Sequence, residues 1–560
     1  MKYIRQGIFI TLIVLLGAFL RFNKLDKIPG GFYVDEAAIG YNAYSFLLTG
    51  KDEYSKAFPI FLRSFGAFSS PLYTYLTTVP IAILGPTIFS TRLLSALCGT
   101  LSILVIFLIF KRINLFRNKY TSYLSVLLYA ISPWSIFFSR GAYEANLALL
   151  FVISAIYFLL DKKRRLFSFC LAAIFLSLST YAYQAERLIV YILYPGYLFF
   201  FVVERKLKKM FDKKIIISLF IFFAIQIPQL VLLQSPAFRN RAVGLFYGDV
   251  IKIQADKIVS VIPRQITYGL AFAKEFFSQF FAYFSPRNLF LDGDPDMQRG
   301  IPLLSVFYQW MMFPYLLGFY ILLSNIRKKE MQFIIFLMVS FAIVPSLTKD
   351  PFSTLRSLPL LLPFTLIISL GVDRLLSFIP KVTNVLIFVI LIIFSLISLW
   401  RSYFVLLPRE RAKVWGYGFD QLVKEIETRP SDTFLIDQSR IKPVYIELAF
   451  FLRYPPQKFQ EAVNQTIKNN YYGNTVFSDK YNFANIETGT LNWEKDIYRN
   501  LIIVGDELAI SSQQAEEHYL TQVFEIKDPI GYVIFKAYKT NPLLKCASEK
   551  IKSLYCTYEK

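Results

Sequence analysis

Apolar runs long enough to cross a bilayer alternate with short polar gaps over the first 403 residues, and then the alternation stops. A crossing helix needs about 20 mostly apolar residues to cover about 30 Å of hydrocarbon. Runs of this kind predict spans over 6–22, 88–110, 120–137, 143–160, 166–182, 187–203, 215–234, 301–325, 331–347, 357–377 and 384–402, eleven in all. No small-residue cleavage site follows Gly7–Leu20, so that run is expected to be retained as a span. Pro71–Gly85, "PLYTYLTTVPIAILG", is apolar but short and is interrupted by Pro80. Beyond Tyr403 the chain turns polar. There "TFLID" (Thr433–Asp437), "NLIIVGD" (Asn500–Asp506) and "YVIFKAY" (Tyr532–Tyr538) read as strands, and "PVYIELAFFLR" (Pro443–Arg453) and "SSQQAEEHYL" (Ser511–Leu520) read as helices. The expectation is an all-α polytopic membrane bundle over 1–403 and a small α/β domain over 404–560.

Charge sets the expected orientation. The net charge of +22 invites a nucleic-acid reading, but its distribution argues against one. Basic residues cluster between apolar runs, in Lys111–Lys119, Asp161–Arg165, Glu204–Lys214 and Ile326–Glu330. With Lys2, Arg5 and Lys381, short loops hold twenty of the 61 Lys and Arg residues. That is the positive-inside pattern. With a cytoplasmic N-terminus and eleven spans, every basic loop falls inside. Loops 23–87 and 235–300 and the C-terminal domain then fall outside, as in a plasma-membrane protein. Counting Pro71–Gly85 as a span would reverse the later loops, so a helix on the outer surface is favoured. Cys546 and Cys556 in the tail suit a disulfide in an oxidising exterior.

Most expected spans carry few charges. The informative polar residues gather at the expected outer ends. "GFYVDEAAIGYNAYSFLLTG" (Gly31–Gly50) puts Asp35 and Glu36 at a helix start, where they either cap the helix or serve as acid–base groups. Val34, Ala38, Tyr41, Tyr44 and Leu48 form an apolar stripe that would lay this helix on the membrane surface, with Asn42 on the face of Asp35. Arg140, Arg187 and Arg356 sit at span ends, where they either contact phosphate or snorkel to the interface. Glu144 is placed as an i+4 partner of Arg140 or as a pocket residue. Tyr181, Tyr183 and Gln184 suit a sugar pocket or an aromatic belt. The single histidine, His518, and the lack of HExxH and Walker motifs leave no visible machinery for histidine-based hydrolysis or ATP-driven transport. No cofactor is implied. A divalent cation could be held by Asp35, Glu36, Asp292, Asp294 or Asp296, although the last three read as turn residues.

The order of "GFYVDEAAIGYNAYSFLLTG", "SPLYTYL", "STRLLSALCGTLSILVIFLIFK", "SPWSIFFSRGAYEAN", "YAYQAERL", "FLDGDPDMQRGIPLLSVFYQW" and "TLRSLPLLLPF" over about residues 1–400 resembles membrane glycosyltransferases of the GT-C fold. The similarity is to the protein O-mannosyltransferase and aminoarabinose-transferase group, glycosyltransferase family 39. The resemblance implies a helix bundle with juxtamembrane helices from the first external loop. It also implies a sugar donor on polyprenyl phosphate, used with inversion, and an essential acid that contacts the acceptor, at the position of Asp35 with Glu36 beside it. The acceptor is a protein, lipid or glycan, and no nucleic acid is involved. The chain departs from the pattern at "SSPLYTY", where Ser69 and Ser70 replace an expected phosphate-contacting base and a metal-ligand carboxylate. Phosphate recognition is then expected from Arg140, Arg187, Arg356 or Lys51. A lipid-linked sugar flippase, or a non-catalytic envelope scaffold, is the alternative. A transporter would show charged or broken midplane helices in repeated halves, and neither is visible.

Overall fold

The computed structural model describes residues 2–113, 115–118, 120–203, 212–239, 248–257, 263–378, 380–440, 443–463, 465–473, 475, 477, 480–548 and 554–556. The basic stretch 204–211 lies outside the described residues. Helices lie in each of the eleven expected stretches, but that over 301–325 is helical only from Gln309 to Ser324, since 301–308 form turns and a bridge. Five helical runs are long and apolar enough to cross a membrane by themselves: Ile88–Ile113, Lys213–Val231, Lys329–Leu347, Leu358–Phe378 and Val382–Glu410. The chain is an integral membrane protein. Its first four helices are α1 (Lys2–Phe22), α2 (Val34–Thr49), α3 (Leu72–Leu84) and α4 (Ile88–Ile113). Helix α3, from the ambiguous run Pro71–Gly85, has 13 residues and so measures about 20 Å, too short to span. Val79 and Ile83 are exposed on it, while Tyr73, Thr77 and Ile81 are buried.

The helix expected over 120–137 divides into Thr121–Ile131 and Pro133–Phe138. Pro133 cannot donate to the preceding turn, and Ser132 takes an extended ψ of 129°. The freed carbonyl of Ile131 accepts from the Tyr308 hydroxyl at 2.7 Å. Two buried arginines secure the bundle through main-chain carbonyls. Arg21 donates to Gly17 O and Ala130 O and to the hydroxyls of Ser135 and Ser139. Arg140 donates to the carbonyls of Leu20 and Arg21 in the last turn of α1, and of Asn23, Lys24 and Ile28 in the turn that follows.

Helices Met312–Ser324 and Leu361–Phe378 approach through two glycines. A Cβ on Gly318 would meet Ile367 O at 1.9 Å, and one on Gly371 would meet Pro314 O at 1.9 Å. Gly371→Val is therefore expected to force the helices apart and to cost about 1–3 kcal/mol or more, as overpacking does. Thermal unfolding in detergent measures this, with Gly7→Val, which meets nothing within 4 Å, as the unaffected control.

The C-terminal part is α/β. Hairpin strands β1 (Leu62–Ser64) and β2 (Ala67–Ser69) belong to the first loop. They are followed by β3 (Phe434–Asp437), β4 (Tyr481–Phe483), β5 (Ile486–Gly489), β6 (Ile502–Gly505), β7 (Thr521–Lys527) and β8 (Val533–Lys539). The last six form one sheet in the order β4-β5-β3-β6-β8-β7, with β5, β3 and β6 parallel. Helices Tyr445–Phe451 and Ser512–Glu517 occupy the expected stretches, and Cys546 is bonded to Cys556.

Helix α2 corrects the sequence reading. It does not lie with its stripe on a membrane surface. Phe32, Ala37, Ala38 and Tyr41 share one core with Tyr445, Phe450, Phe459, Ile502 and Phe535 of the C-terminal unit. Gly40 makes the approach close: a Cβ there would meet Phe450 Cε2 at 2.5 Å. Only its last apolar residues, Leu47 and Leu48, stay exposed.

Candidate active site

Hydrogen bonds draw the five polar segments to one end of the bundle. Ala142 N donates to Glu36 Oε1 at 2.7 Å, and Arg187 Nη2 to Ser70 Oγ at 3.0 Å. Gln298 Nε2 donates to the Tyr143 hydroxyl at 2.8 Å, and Thr354 Oγ1 to Asp294 Oδ2 at 2.6 Å. Beside α2 this end holds a small, open cleft. Asp35, Asn42, Glu144 and Arg63 supply its polar walls, with the hydroxyls of Ser64, Ser69 and Thr74, while Ala38, Ile39 and Leu62 supply apolar ones.

The adjacent acids have separate fates. Asp35 is the second residue of α2, is exposed, and faces the cleft. Glu36, one residue on, turns the other way and is buried. Arg92 grips it in a bidentate pair, Nε to Oε1 at 2.9 Å and Nη2 to Oε2 at 2.7 Å. Tyr33 N, the cap of α2, also donates to Glu36 Oε2, at 3.2 Å. The capping acid is thus Glu36, and Asp35 is left to the cleft. Glu36, expected among the reacting groups, is not among the residues that line the cleft.

None of the four expected phosphate-binding cations lines the cleft. Arg140 serves the end of α1 as described above. Arg356 pairs with Asp350 at 2.7 Å and donates to Thr348. Lys51 is exposed, in a bridge to Ala57. Arg187 stacks on Phe61 with 4.3 Å to the ring centroid and reaches Ser70, one residue from the cleft-lining Ser69. Tyr181 donates to Ile225 O, Tyr183 is buried at a helix end and Gln184 is half-buried; none of the three lines the cleft. Asn42 and Glu144 do line it, and Glu144 begins the helix Glu144–Leu159.

Arg63, which sequence reading passed over, is the cation on the cleft wall. Strand β1 carries it, paired across the hairpin with Phe68 next to Ser69. Its guanidinium lies over Tyr54 with 5.3 Å to the ring centroid. The signal that could have found it is "LRSFGAFS" (Leu62–Ser69), alternating residues around Gly66 at φ +76°. Behind the wall, Glu53 accepts from Asn42 Nδ2 and from the Tyr445 hydroxyl, both at 3.1 Å. Burial pushes the Glu53 carboxyl up to about 8 and Asp52 to about 6. Between its ordinary value of 4.5 and about 8, the folded chain holds a proton at Glu53 that the unfolded chain has lost. Its contribution to stability therefore falls as pH rises through that interval and levels off above it. Glu53→Gln is expected to flatten this slope in thermal unfolding measured across the same interval.

The acids of "DGDPD" act as turn and ion-pair residues. Asp292 pairs with Arg287, while Asp294 and Asp296 pair with Arg299. Among the described residues, no three His, Cys, Asp or Glu side chains are grouped to hold a metal.

The family model for dolichyl-phosphate-mannose-protein mannosyltransferases matches residues 69–231. Comparison with curated proteins found no match. Among solved structures, ArnT from Cupriavidus metallidurans bound to undecaprenyl phosphate aligns over 94% of this chain and 97% of its own, with a TM-score of 0.54 and 11% identity. The Archaeoglobus fulgidus oligosaccharyltransferase tethered to an acceptor peptide covers 95% of this chain and 74% of its own, with a TM-score of 0.48 and 12% identity. The S. cerevisiae protein O-mannosyltransferase Pmt1–Pmt2 complex covers 41% and 33%, with a TM-score of 0.32 and 14% identity. The likeness to ArnT shows the fold: this chain has the GT-C fold of membrane glycosyltransferases.

Proposed function

We propose that this chain transfers a sugar from a polyprenyl-phosphate donor to an acceptor hydroxyl on the extracytoplasmic face of the plasma membrane, with inversion. One observation supports the reading: Asp35 and Arg63 line the same cleft. The match to a mannosyltransferase family model and a fold shared with a structure bound to undecaprenyl phosphate support the donor class. The positive-inside pattern supports the face, with the N-terminus cytoplasmic and the C-terminal unit outside.

In the reaction, Asp35 takes the acceptor proton as the acceptor oxygen attacks the anomeric carbon. The bond from that carbon to the phosphate oxygen breaks, and its electron pair leaves with the phosphate. Attack from the side opposite the leaving group inverts the anomeric centre. Arg63 stabilises the departing phosphate, a task for a preorganised cation in a poorly solvated place. Ser69 and Thr74 offer hydroxyls on the same wall, and Arg187 braces the hairpin end through Ser70. Glu144 and Asn42 are placed to orient the sugar or the acceptor, which is a hydroxyl of a protein, lipid or glycan.

The test uses the full chain in vesicles carrying polyprenyl-phosphate-linked sugars, with release of polyprenyl phosphate as the readout. Arg63→Ala is expected to raise the donor KM by about 10- to 100-fold, since hydrogen bonds to charged groups contribute about 1.5–3 kcal/mol. A parent chain that releases no polyprenyl phosphate from any such donor would reject the reading.

A further inference from the structure

The segment 235–300 reads from sequence as an external loop, yet Arg264–Ala282 is a 19-residue helix, and its apolar stripe is uncovered. Ile266, Leu270, Phe277 and Phe281 are 54–63% exposed. Their spacing of four, seven and four residues puts them on one face. One flank of the stripe is turned to protein: Thr267 and Ala271 are buried there, and Glu275 accepts from Gln254 Nε2 of the neighbouring helix Gly248–Asp256 at 2.6 Å. In water a helix buries its apolar stripe. This helix leaves the stripe uncovered.

We propose that the helix Arg264–Ala282 is embedded in the outer leaflet of the bilayer, with the stripe from Ile266 to Phe281 against phospholipid acyl chains. The exposed apolar stripe argues for a hydrocarbon partner. So does continuity with the bundle: Phe280 stacks toward Phe284, with centroids 5.1 Å apart, and Phe284 packs at 5.9 Å on Phe364 of the helix Leu361–Phe378. The C-terminal end of the helix is therefore tied to a membrane-spanning element. Arg264 and Lys274 are exposed, and their stems are long enough to carry charge to the headgroups from a shallow position. The helix is an anchor parallel to the surface, additional to the spans.

The test places a nitroxide on Phe277→Cys in the full chain, with Cys98 and Cys170 replaced by serine and the chain in phosphatidylcholine–phosphatidylglycerol vesicles. Leu270→Cys repeats it on the same stripe, and Leu508→Cys, on the exposed C-terminal unit, is the aqueous reference. Collisions with oxygen are expected to exceed those with a nickel chelate at 277 and 270, with the ratio reversed at 508. Nickel contact at 277 and 270 equal to that at 508 overturns the proposal, because the face would then meet water. Spin–spin broadening that disappears on dilution with unlabelled protein also overturns it, because the face would then meet a second copy. Shielding from both reagents without broadening overturns it too, because protein would then cover the stripe.

Discussion

Asp35→Asn is expected to fold as the parent does, to bind donor nearly unchanged, and to lose about 10²- to 10⁴-fold in kcat, the range attributed to a positioned general base. Folding should survive because Asp35 is exposed and does not supply the cap of α2. The loss of a negative charge near a helix N-terminus costs about 0.3–1 kcal/mol. Asparagine keeps the shape and can still hydrogen-bond an acceptor hydroxyl, but it cannot take a proton at working pH. A fall in kcat without a rise in donor KM marks a group that acts in the transition state. Unchanged transfer by a well-folded Asp35→Asn chain would remove Asp35 from the mechanism.

Glu36→Ala is expected to fail differently. It strips the bidentate partner from Arg92, whose side chain is fully buried, and leaves an uncompensated charge. Breaking a buried pair from one side costs about 3–5 kcal/mol. The damage spreads, because Arg92 also donates to the carbonyls of Leu25, Pro29 and Gly31, and Glu36 itself holds Ala142 N. One ion pair thus fastens the end of α1, the start of α2, α4 and the 139–146 segment. Thermal unfolding in detergent should show a large drop for Glu36→Ala and a smaller one for Glu36→Gln, which retains acceptor capacity. If Glu36→Ala left the unfolding temperature unchanged while abolishing transfer, Glu36 would return to the reacting groups.

The spans were legible because a bilayer imposes a length and a composition that each segment shows on its own. The disulfide and three of the C-terminal strands were legible for similarly local reasons. The joint between α2 and the C-terminal unit was not. Its contacts link Gly40 to Phe450 and Asn42, through Glu53, to Tyr445, and separations of that size leave no periodic trace. Aromatic and small residues on α2 read equally well as facing lipid or protein. Arginines at span ends were read as phosphate ligands because phosphate lies at that depth. Main-chain carbonyls at the end of α1 compete for the same guanidinium, and at Arg140 they take it. Arg63 escaped notice because it is the hairpin, not its position along the chain, that brings it to the cleft Asp35 lines.

The shared core between α2 and the C-terminal sheet also fixes an order of events during biosynthesis. The helix that bears Asp35 leaves the ribosome early, but the core it joins runs on to Phe535 and Ala537. Until those residues have been made, that core is incomplete. A product terminated before residue 535 would therefore hold α2 on an unfinished core.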